Sequence, residues 1–336
     1  MGITSGLRFV SQPDAASLAH PVRRPAAPTR VGVCIATYQR PRMLRALLQS
    51  LAGLEFRKHP ADVFVVVVDN DAAGSARETV EEARAELPLP LHYEVEAERN
   101  ISAARNRSVA VALEQGAEFV AFIDDDETAT PTWLDELLDG VFRHGGEVVG
   151  GAVLPVYDAE VPAWLARGGF FETPRIRTGT PVPYLATNNA LVSAGVLSRT
   201  PKRFDKDFGL AGSGDSEFFM RLHRQGARMV WVDEAVVRER IPASRGRAGW
   251  VLRRAFRMGN GAVFCERALP PEIRRLSPRV LKAAIRTSGA LLMMVPSLAF
   301  GRRGAVKALW SVAYGAGCFS ALLGYRYIEY RSVHGD

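Results

Sequence analysis

The sequence predicts an α/β fold with a mostly parallel sheet, followed by a helical, apolar appendage. From residue 31 to residue 123, short apolar runs alternate with longer segments of helical periodicity. This alternation is typical of strands and helices wound into a parallel sheet. Beyond residue 245 the chain becomes rich in arginine and then in apolar residues. Hydrophobic residues make up 47% of the 336 residues, which excludes a largely disordered chain.

The elements of the sheet are predicted in chain order from their composition. The strand runs are short and mostly apolar, whereas the helices place apolar residues three and four positions apart. We predict strands at 31–36, 62–68, 91–95, 119–123 and 229–232, and helices at 43–54, 75–87 and 102–115. Residues 1–30 carry scattered prolines and lack a continuous apolar run, so we expect a flexible tail rather than a secretory signal.

An acidic run follows the fourth predicted strand. Asp124, Asp125, Asp126 and Glu127 come directly after an apolar run, at the edge where open α/β sheets bind their ligands. An extended chain points Asp124 and Asp126 to the same side. Such oxygen ligands suit Mg²⁺ or Mn²⁺ with substrate phosphates completing the shell. The alternative is a solvated acidic turn that caps the next helix.

Polar residues also follow the first three strands. Segments 37–40 and 69–71 end the first two strands, and the stretch 99–106 follows the third. We expect these groups to face one crevice and to reach a base, a ribose or phosphates. A GxGxxG fingerprint and a GxxxxGK[ST] loop are both missing, which argues against a dinucleotide fold and excludes a P-loop enzyme. The alternatives are an ordinary turn at Asp69 and a solvated helix face at Arg105.

Cysteine and histidine usage limits the kinds of site that the chain can hold. Cys34, Cys265 and Cys318 lie far apart, so the sequence offers neither a disulfide framework nor a CxxC metal site. The histidines show no metal-ligand spacing, and no zinc site is predicted. These observations favour a reducing compartment.

Five motifs occur together in an order and spacing that resemble those of a known family. They are the segments 33–41, 67–71, 100–106, 122–127 and 212–219. The set resembles the family 2 glycosyltransferases, which have the Rossmann-like GT-A fold. Within that family it is similar to the bacterial glucosyltransferases that extend lipid-linked repeat units of succinoglycan-type exopolysaccharide.

The resemblance implies roles for the residues at the strand ends. Asp124 and Asp126 match the DxD motif, which holds a divalent metal on the donor diphosphate, and Asp126 is expected to contact the metal directly. Asp69 matches the position that reads the uracil or the ribose. The donor nucleotide-binding set implied in this way is Thr37, Tyr38, Arg40, Asp69, Asn70, Arg105, Asn106, Asp124 and Asp125.

The second half of the predicted domain is expected to bind the acceptor. Residues 145–210 are rich in glycine and proline with scattered aromatics, which is typical of binding loops. The resemblance makes Asn188 and Asn189 candidates for contacts with sugar hydroxyls, and the alternative is a polar strand edge. Glu217, in the second acidic element, is assigned to the acceptor side with them.

Asp215 lies where a glycine-containing loop meets the start of a helix. From the residues alone it is suited to cap that helix. The resemblance implies instead that Asp215 is the general base, which takes the proton of the acceptor hydroxyl in an inverting transfer. Two positions depart from the family pattern. Gly214 stands where glutamate is usual, and Arg238 stands where histidine is expected. Arg238 either replaces that histidine by its charge or leaves the metal site weakened.

The C-terminal third is predicted to bind a membrane surface. Arginine and lysine dominate residues 245–286, and apolar stretches follow at 288–300 and 308–325. The first stretch is shorter than the ~20 residues that span a bilayer, so we expect peripheral or re-entrant attachment to an anionic surface. The alternative is a helical pair that packs on the catalytic domain or on another subunit. The long apolar stretches and the lack of a recognised motif argue against nucleic-acid binding.

These predictions combine into one organisation and one activity. We expect a tail at 1–30, a GT-A domain with a nucleotide-binding half at 31–130 and an acceptor half at 131–245, and a membrane-associating region at 246–336. The predicted activity is the metal-assisted, inverting transfer of glucose or a similar hexose from a UDP-linked donor. The acceptor is a lipid-linked or oligosaccharide glycan at the cytoplasmic face of the inner membrane. The alternative is a non-catalytic scaffold of the same fold in a polysaccharide assembly complex.

Overall fold

The computed structural model describes residues 27–158, 161–173 and 175–329. The predicted flexible tail therefore lies outside the described residues up to residue 26. Thr29 and Arg30 were predicted to end that tail, but they belong to the first strand.

A single eight-stranded sheet forms the centre of the described part of the chain. Its strands are β1 (Thr29–Thr37), β2 (Ala61–Asp69), β3 (Leu91–Val95), β4 (Phe119–Ile123), β5 (Glu127–Ala129), β6 (Val148–Tyr157), β7 (Asn189–Ser193) and β8 (Met229–Ile241). They lie side by side in the order β3-β2-β1-β4-β7-β6-β8-β5. β1 to β4 run parallel, β7 is antiparallel to both of its neighbours, β6 and β8 are parallel, and β5 is antiparallel to β8. The predicted α/β fold with a mostly parallel sheet is confirmed.

The helices connect these strands and then continue beyond them. They are α1 (Pro41–Ala52), α2 (Arg77–Glu86), α3 (Ile101–Glu114), α4 (Trp133–Phe142), α5 (Ala163–Ala166), α6 (Ala194–Ser198), α7 (Gly214–Arg224), α8 (Ala248–Ala268), α9 (Leu276–Leu292), α10 (Met294–Ser297) and α11 (Gly301–Leu322). The first three are the helices that the periodicity predicts. α1 begins earlier than predicted because Pro41 suits the first helical position, where its missing N–H is not needed.

β2 shows why the sheet is covered on both faces. Residues 63–68 are buried throughout, and their side chains alternate between two apolar layers. The odd-numbered valines pack in one layer with Leu44 of α1 and Leu137 of α4. The even-numbered positions pack in the other layer with Val109 of α3 and Phe218 of α7. Polar side chains of the sheet are therefore concentrated at the strand ends.

The far side of the sheet is built by pairings that the sequence did not predict. β8 extends to Ile241, well past the predicted end at residue 232, and its last part pairs with the short strand β5. β5 follows the acidic run directly, so this pairing folds the chain back at the end of β4. The register sets Glu127 opposite Glu239, which brings a further carboxylate to the acidic run.

The C-terminal helices α8 and α11 pack closely on one another. Val251 and Val306 share an apolar cluster near the helix starts, whereas Val263 and Ala321 share another near the helix ends. The two helices therefore run in the same direction. Gly259 permits their close approach, because a Cβ there would lie 1.9 Å from a backbone oxygen of α11. α8 also packs against α7. The alternative prediction, in which C-terminal helices pack on the catalytic domain, therefore describes α8 and α11.

The segment between α9 and α11 is apolar and exposed. One helical stretch of the described chain, Met294–Leu322, is long and apolar enough by length and composition to cross a membrane. It is not straight, because Gly301, at a φ of 62°, separates α10 from α11. Six side chains around its start are 53–80% exposed, and we call them the apolar tip. They are Leu291, Leu292, Met293, Val295, Leu298 and Phe300. So many exposed large apolar side chains in ten residues are uncommon in soluble monomers.

The basic run 245–286 forms less of an open positive surface than its composition indicates. Arg267 donates to two carbonyls in the last turn of α11 at 2.7 and 3.1 Å, where a helix leaves its carbonyls unpaired. Arg279 pairs with the buried Glu266 at 3.0 Å. These two arginines are therefore used within the protein, where a helix end and a buried carboxylate require donors.

Candidate active site

The loop after β1 is tied to the acidic turn after β4. Thr37 Oγ1 donates to Asp125 Oδ2 at 2.8 Å, and Arg40 Nη1 donates to Asp125 Oδ1 at 2.8 Å. Arg40 also reaches Asp126 Oδ2 at 3.4 Å. Burial raises the pKa of the Asp125 carboxyl to about 6, and the charge of Arg40 opposes that rise. These predicted donor-site residues lie together, as expected of carboxyl ends in a parallel sheet.

The same loop contains the one non-glycine residue with a positive φ in the described chain. Gln39 has a φ of 52°, a conformation that costs roughly 1 kcal/mol or more and persists where the surroundings impose it. Its Nε2 donates to Asp71 Oδ2 at 3.0 Å, which joins the loop after β1 to the loop after β2. On the other side, the Arg99 guanidinium lies 4.8 Å from the centre of the Tyr38 ring. The three strand-end loops are thus held together by side-chain contacts.

Asp69 and Asn70 brace the loop after β2 from within. Asp69 has no exposed surface, and its carboxylate accepts from Ala76 N at 2.7 Å and Tyr93 Oη at 3.1 Å. Burial nevertheless raises its pKa. Asn70 donates to two carbonyls of the loop after β3 at 3.0 and 2.6 Å and accepts from Asn100 N. In this conformation the two side chains shape the loop and are not open to a base or a ribose, in contrast to the role that the resemblance implies.

α3 supplies one residue that lines the crevice and one that holds a neighbouring loop in place. Arg105 Nη2 donates to Asp124 Oδ1 at 3.1 Å, so it meets the predicted metal-binding pair. Asn106 uses both ends of its amide on the backbone of Phe204, at 2.8 and 3.0 Å. Asn106 therefore holds a loop of the acceptor half, and its side chain does not face the predicted donor site.

Carboxylates crowd the turn between β4 and β5. Glu127 is 2% exposed, and its Oε2 accepts from Asp124 N at 3.0 Å. Its Oε1 is buried without a hydrogen-bond partner among the residues that the structure describes. Burial, followed by the charges of Asp124, Asp126 and Glu239, raises the pKa of Glu127 well above its ordinary value. Such crowding of negative charge is costly unless a cation relieves it.

Arg245 partly neutralises this acidic cluster. Its Nη2 donates to Asp126 Oδ2 at 3.1 Å, and its Nη1 donates to Glu239 Oε1 at 2.8 Å. Arg238, which the sequence predicted for this place, is exposed and lies opposite Thr128. Successive residues of a strand point to opposite faces, so Glu239 faces the cluster and Arg238 does not. Arg245 was missed because it was grouped with the basic run. Its position just after β8 was the available signal.

Asp215 lies in the first turn of α7. Ser213 occupies the N-cap position, and Asp215 Oδ1 accepts from Ser216 N at 2.7 Å, so the helix-cap interpretation of Asp215 is wrong. Burial raises the pKa of Asp124, and the charges of Asp126 and Asp215 add to that rise while Arg105 opposes it. The charge of Asp215 is therefore close enough to Asp124 to act on it. The start of α7 also lies against the start of α3, where Gly214 meets Ser102.

The glycine at position 214 is explained by its close surroundings. A Cβ at this position would lie 2.8 Å from Ser102 Oγ, a hydroxyl buried in the first turn of α3. A side chain at position 214 would therefore require the Ser102 hydroxyl to move. The departure at Gly214 reflects how closely these two helix starts approach one another.

Asn189, predicted to contact sugar hydroxyls, is a core residue. It is 2% exposed and accepts from Trp133 Nε1 at 2.8 Å. Its Nδ2 donates to the carbonyls of Ala152 and Ala235 at 3.0 and 2.8 Å. The amide is thus used within the protein, as is usual for a buried polar group. Asn188, the residue before β7, is only half-buried and remains the candidate of this pair.

Glu217 is likewise internal, whereas a tyrosine takes the exposed place beside Asp215. Glu217 is 2% exposed and pairs with Arg221 at 2.7 Å, so it has no surface for an acceptor. Tyr184 is 50% exposed, and its Oη lies 3.1 Å from Ser216 Oγ. The sequence showed Tyr184 only as one of several scattered aromatics. Contact with the residue after Asp215 is a tertiary feature that no local pattern reports.

The DxD pair fits a divalent cation in combination with ligand oxygens. Within the described ranges, no three His, Cys, Asp or Glu side chains are grouped so as to hold a metal ion. Mg²⁺ commonly uses one or two carboxylates plus substrate phosphates, and a pair of hard oxygen donors meets that requirement. The side chain of Asp124 is 39% exposed, and the buried Glu127 Oε1 nearby leaves negative charge for a cation to offset.

Comparison with known proteins identifies the family. The model of glycosyl transferase family 2 matches residues 32–200. The succinoglycan biosynthesis protein ExoM of Rhizobium meliloti (strain 1021) is 34% identical over an alignment of 310 residues, and the match covers 89% of this chain and 94% of that protein. The chain belongs to glycosyl transferase family 2. The predicted family is confirmed, and a family 2 glycosyltransferase is an enzyme rather than the scaffold considered as its alternative.

Two solved structures share the fold of this family 2 glycosyltransferase. Mannosyltransferase PcManGT from Pyrobaculum calidifontis, in complex with GDP-Man and Mn²⁺, aligns with a TM-score of 0.59 at 20% identity, over 91% of this chain and 90% of that one. S. aureus TarS 1–349 in complex with UDP aligns with a TM-score of 0.50 at 20% identity, over 92% and 95% of the two chains. The predicted GT-A architecture is confirmed.

Proposed function

We propose that this family 2 glycosyltransferase moves glucose or a similar hexose from a UDP-linked donor to a lipid-linked glycan acceptor in exopolysaccharide or cell-surface glycan synthesis. The transfer inverts the anomeric centre and is assisted by Mg²⁺ or Mn²⁺. Residues 31–130 serve the donor, residues 131–245 serve the acceptor, and residues 246–336 associate with the membrane.

One observation carries the proposal. Asp124 and Asp126 follow β4, and Asp215 lies in the first turn of α7, whose start meets Ser102, one helical turn before the Arg105 that pairs with Asp124. A leaving diphosphate requires positive charge beside it, whereas an attacking hydroxyl must lose a proton. A carboxylate pair on one side and a single carboxylate on the other meet these two needs.

The residues of the chain divide the work of the transfer. Asp215 takes the proton of the acceptor hydroxyl as its oxygen bonds to the anomeric carbon and the bond to the donor diphosphate breaks. The hydrogen bond from Ser216 N to Asp215 Oδ1 fixes the orientation of that carboxylate. Arg105 and Arg40 position Asp124 and Asp126. When bound to this pair, the metal ion offsets the charge of the departing diphosphate.

The choice of donor and metal draws on the relatives. TarS has been crystallised with UDP, and PcManGT with GDP-Man and Mn²⁺. ExoM, with 34% identity over most of the chain, is a protein of succinoglycan biosynthesis. The UDP-linked donor follows TarS, the divalent cation follows PcManGT and the carboxylates of the crevice, and the polysaccharide product follows ExoM.

We place the reaction at the cytoplasmic face of the inner membrane. The apolar tip supports attachment to a lipid surface, because its six large apolar side chains are exposed and close together in the sequence. The three cysteines are buried free thiols, which suits a reducing compartment. A lipid-linked acceptor accounts for a transferase that works at a membrane surface.

Calorimetric titration with UDP tests the donor site. We expect micromolar affinity in the presence of Mn²⁺, and a loss of about tenfold or more without the metal or in Asp126→Ala. Asp62→Ala is the matched control, since Asp62 lies near the opposite end of β2 and pairs with Arg30. An absence of UDP binding under all conditions would contradict the UDP-linked donor. Tight binding that ignores both Mn²⁺ and Asp126 would contradict the metal site.

A further inference from the structure

α8 carries an arginine whose guanidinium is held by aromatic rings. The guanidinium carbon of Arg254 lies 5.0 Å from the ring centre of Phe171 and 5.7 Å from that of Trp250, and the two rings stack at 5.4 Å with 17° between their planes. No hydrogen bond or ion pair joins Arg254 to any part of the chain that the structure describes. Burial lowers its pKa, and the charge of Glu239 opposes this shift. Arg245, by contrast, has two carboxylate partners.

A second guanidinium lies one turn further along α8. Arg257 follows Arg254 at i+3 and so shares its face of the helix. Its Nε is buried without a hydrogen-bond partner among the described residues, and the carboxylate of Glu329 is 3.6 Å away. Its Nη1 makes one long contact, 3.5 Å to Gly212 O, in the loop that leads into Asp215. Arg254 shares the Trp250 ring with Arg245 of the acidic cluster, and Arg257 meets the loop before the proposed base.

The guanidiniums of Arg254 and Arg257 are suited to bind an anion, because several of their N–H donors are unused by the residues that the structure describes. Arg254 is only half-buried, so its donors are within reach of a ligand, whereas the buried Nε of Arg257 lacks a hydrogen-bond partner in the described chain, which is costly. The two neighbouring cations also repel one another. A phosphoryl group offsets both costs, because its oxygens accept charge-assisted hydrogen bonds in the geometry of the arginine fork. Stacking on aromatic rings orients the Arg254 plane without using its N–H donors.

We propose that Arg254 and Arg257 form a binding site for a phosphoryl or diphosphoryl group, separate from the carboxylate pair. The source of that group rests on the proposed function, in which the donor diphosphate and the phosphate linkage of a lipid-bound acceptor share this chemistry. Phe171 and Trp250 belong to an apolar cluster that includes Val306 near the start of α11. The site thus lies between the crevice and the helix that leads from the apolar tip.

Calorimetric titration of the full chain with three probes tests this site. The probes are inorganic diphosphate, UDP with Mn²⁺, and farnesyl diphosphate in detergent. Arg254→Gln is compared with Arg253→Gln, which removes the same charge from the exposed neighbouring residue. We expect Arg254→Gln to weaken inorganic diphosphate and one of the other two probes by about tenfold or more. Arg253→Gln should leave all three affinities within about twofold, as is usual for an exposed charge.

The outcomes separate the site from the proposed function. A selective loss of farnesyl diphosphate binding assigns the site to the acceptor, and a selective loss of UDP binding assigns it to the donor. Equal affinities of the Arg254 and Arg253 variants for all probes, or no binding of any probe by the unsubstituted chain, would overturn the site. Absence of UDP binding alone contradicts the proposed donor and leaves inorganic and farnesyl diphosphate to decide the site. Arg254→Lys, which keeps the charge but loses the fork, replaces Arg254→Gln if thermal unfolding shows that the glutamine variant is misfolded.

Discussion

The crevice and the apolar tip are opposite kinds of surface on one chain. The crevice collects carboxylates and guanidiniums and removes most of them from water, as Asp125 at 5% and Glu127 at 2% exposure show. The tip collects apolar side chains and leaves them in water, with Leu292 at 80% and Phe300 at 76% exposure. Each arrangement is unfavourable for the chain alone, because buried charge and exposed apolar area both cost free energy.

The difference between these surfaces shows what each one requires from outside the chain. The tip requires an apolar phase, and composition alone indicates this. In the crevice most polar groups already have partners within the protein, so only the exceptions point to a ligand. They include the exposed face of Asp124, the unpaired Glu127 Oε1 and the guanidinium of Arg254. A polar crevice is therefore understood from its unmet hydrogen bonds rather than from its number of charges.

The largest effect is expected from Asp215→Asn, which tests the chemical role of the crevice. The variant keeps the shape of the side chain but cannot take a proton, so we expect sugar transfer from UDP-glucose or a similar donor to fall by about a thousandfold. UDP affinity should be unchanged. Asp207→Asn, an exposed residue of the preceding loop, is the matched control. Transfer within tenfold of the unsubstituted rate would assign the base to another group.

The second effect tests the tip as a lipid-binding surface. Burial of a leucine or phenylalanine side chain is worth about 1.5–3 kcal/mol. The double substitution of Leu292 and Phe300 by serine should therefore lower partition into phosphatidylglycerol-containing vesicles by about a hundredfold. Co-sedimentation measures this. Leu323→Ser removes a leucine that is 89% exposed beyond the other end of α11 and should have little effect. An equal loss in that control would show that the binding is not localised to the tip.

The smallest effect is expected from a test of whether a polar residue stabilises the core or binds a ligand in the crevice. Asn189→Ala leaves the Trp133 indole N–H and two buried carbonyls without partners, so we expect the free energy of unfolding to fall by about 2 kcal/mol. Urea denaturation measures the change, and UDP affinity of the folded variant should not move. Asn188→Ala, one residue earlier and half-buried, should leave stability nearly unchanged. If Asn189→Ala left stability unaltered, the core role of Asn189 would be wrong.

The parallel half of the sheet could be predicted because its pattern is local. Buried runs such as 62–68 end in polar residues, and parallel strands bring those ends to one edge. β5 could not be predicted in the same way, since it has three residues and exists only by pairing with the distant end of β8. The direction of individual side chains was equally hidden. Asn189 and Glu217 are residue types that are common in binding sites, yet both side chains point into the protein.

The common direction of α8 and α11 sets the height of the crevice above any surface that the tip touches. Val251 packs with Val306, so Arg254 stands level with about residue 309 of α11. From Gly301 to that level is about 12 Å at the rise of an α-helix. On the proposed attachment, the reacting hydroxyl of the acceptor must lie close to its lipid anchor. On the proposed function, this distance favours short glycans at an early stage of their assembly, because the free end of a long one would extend past the crevice.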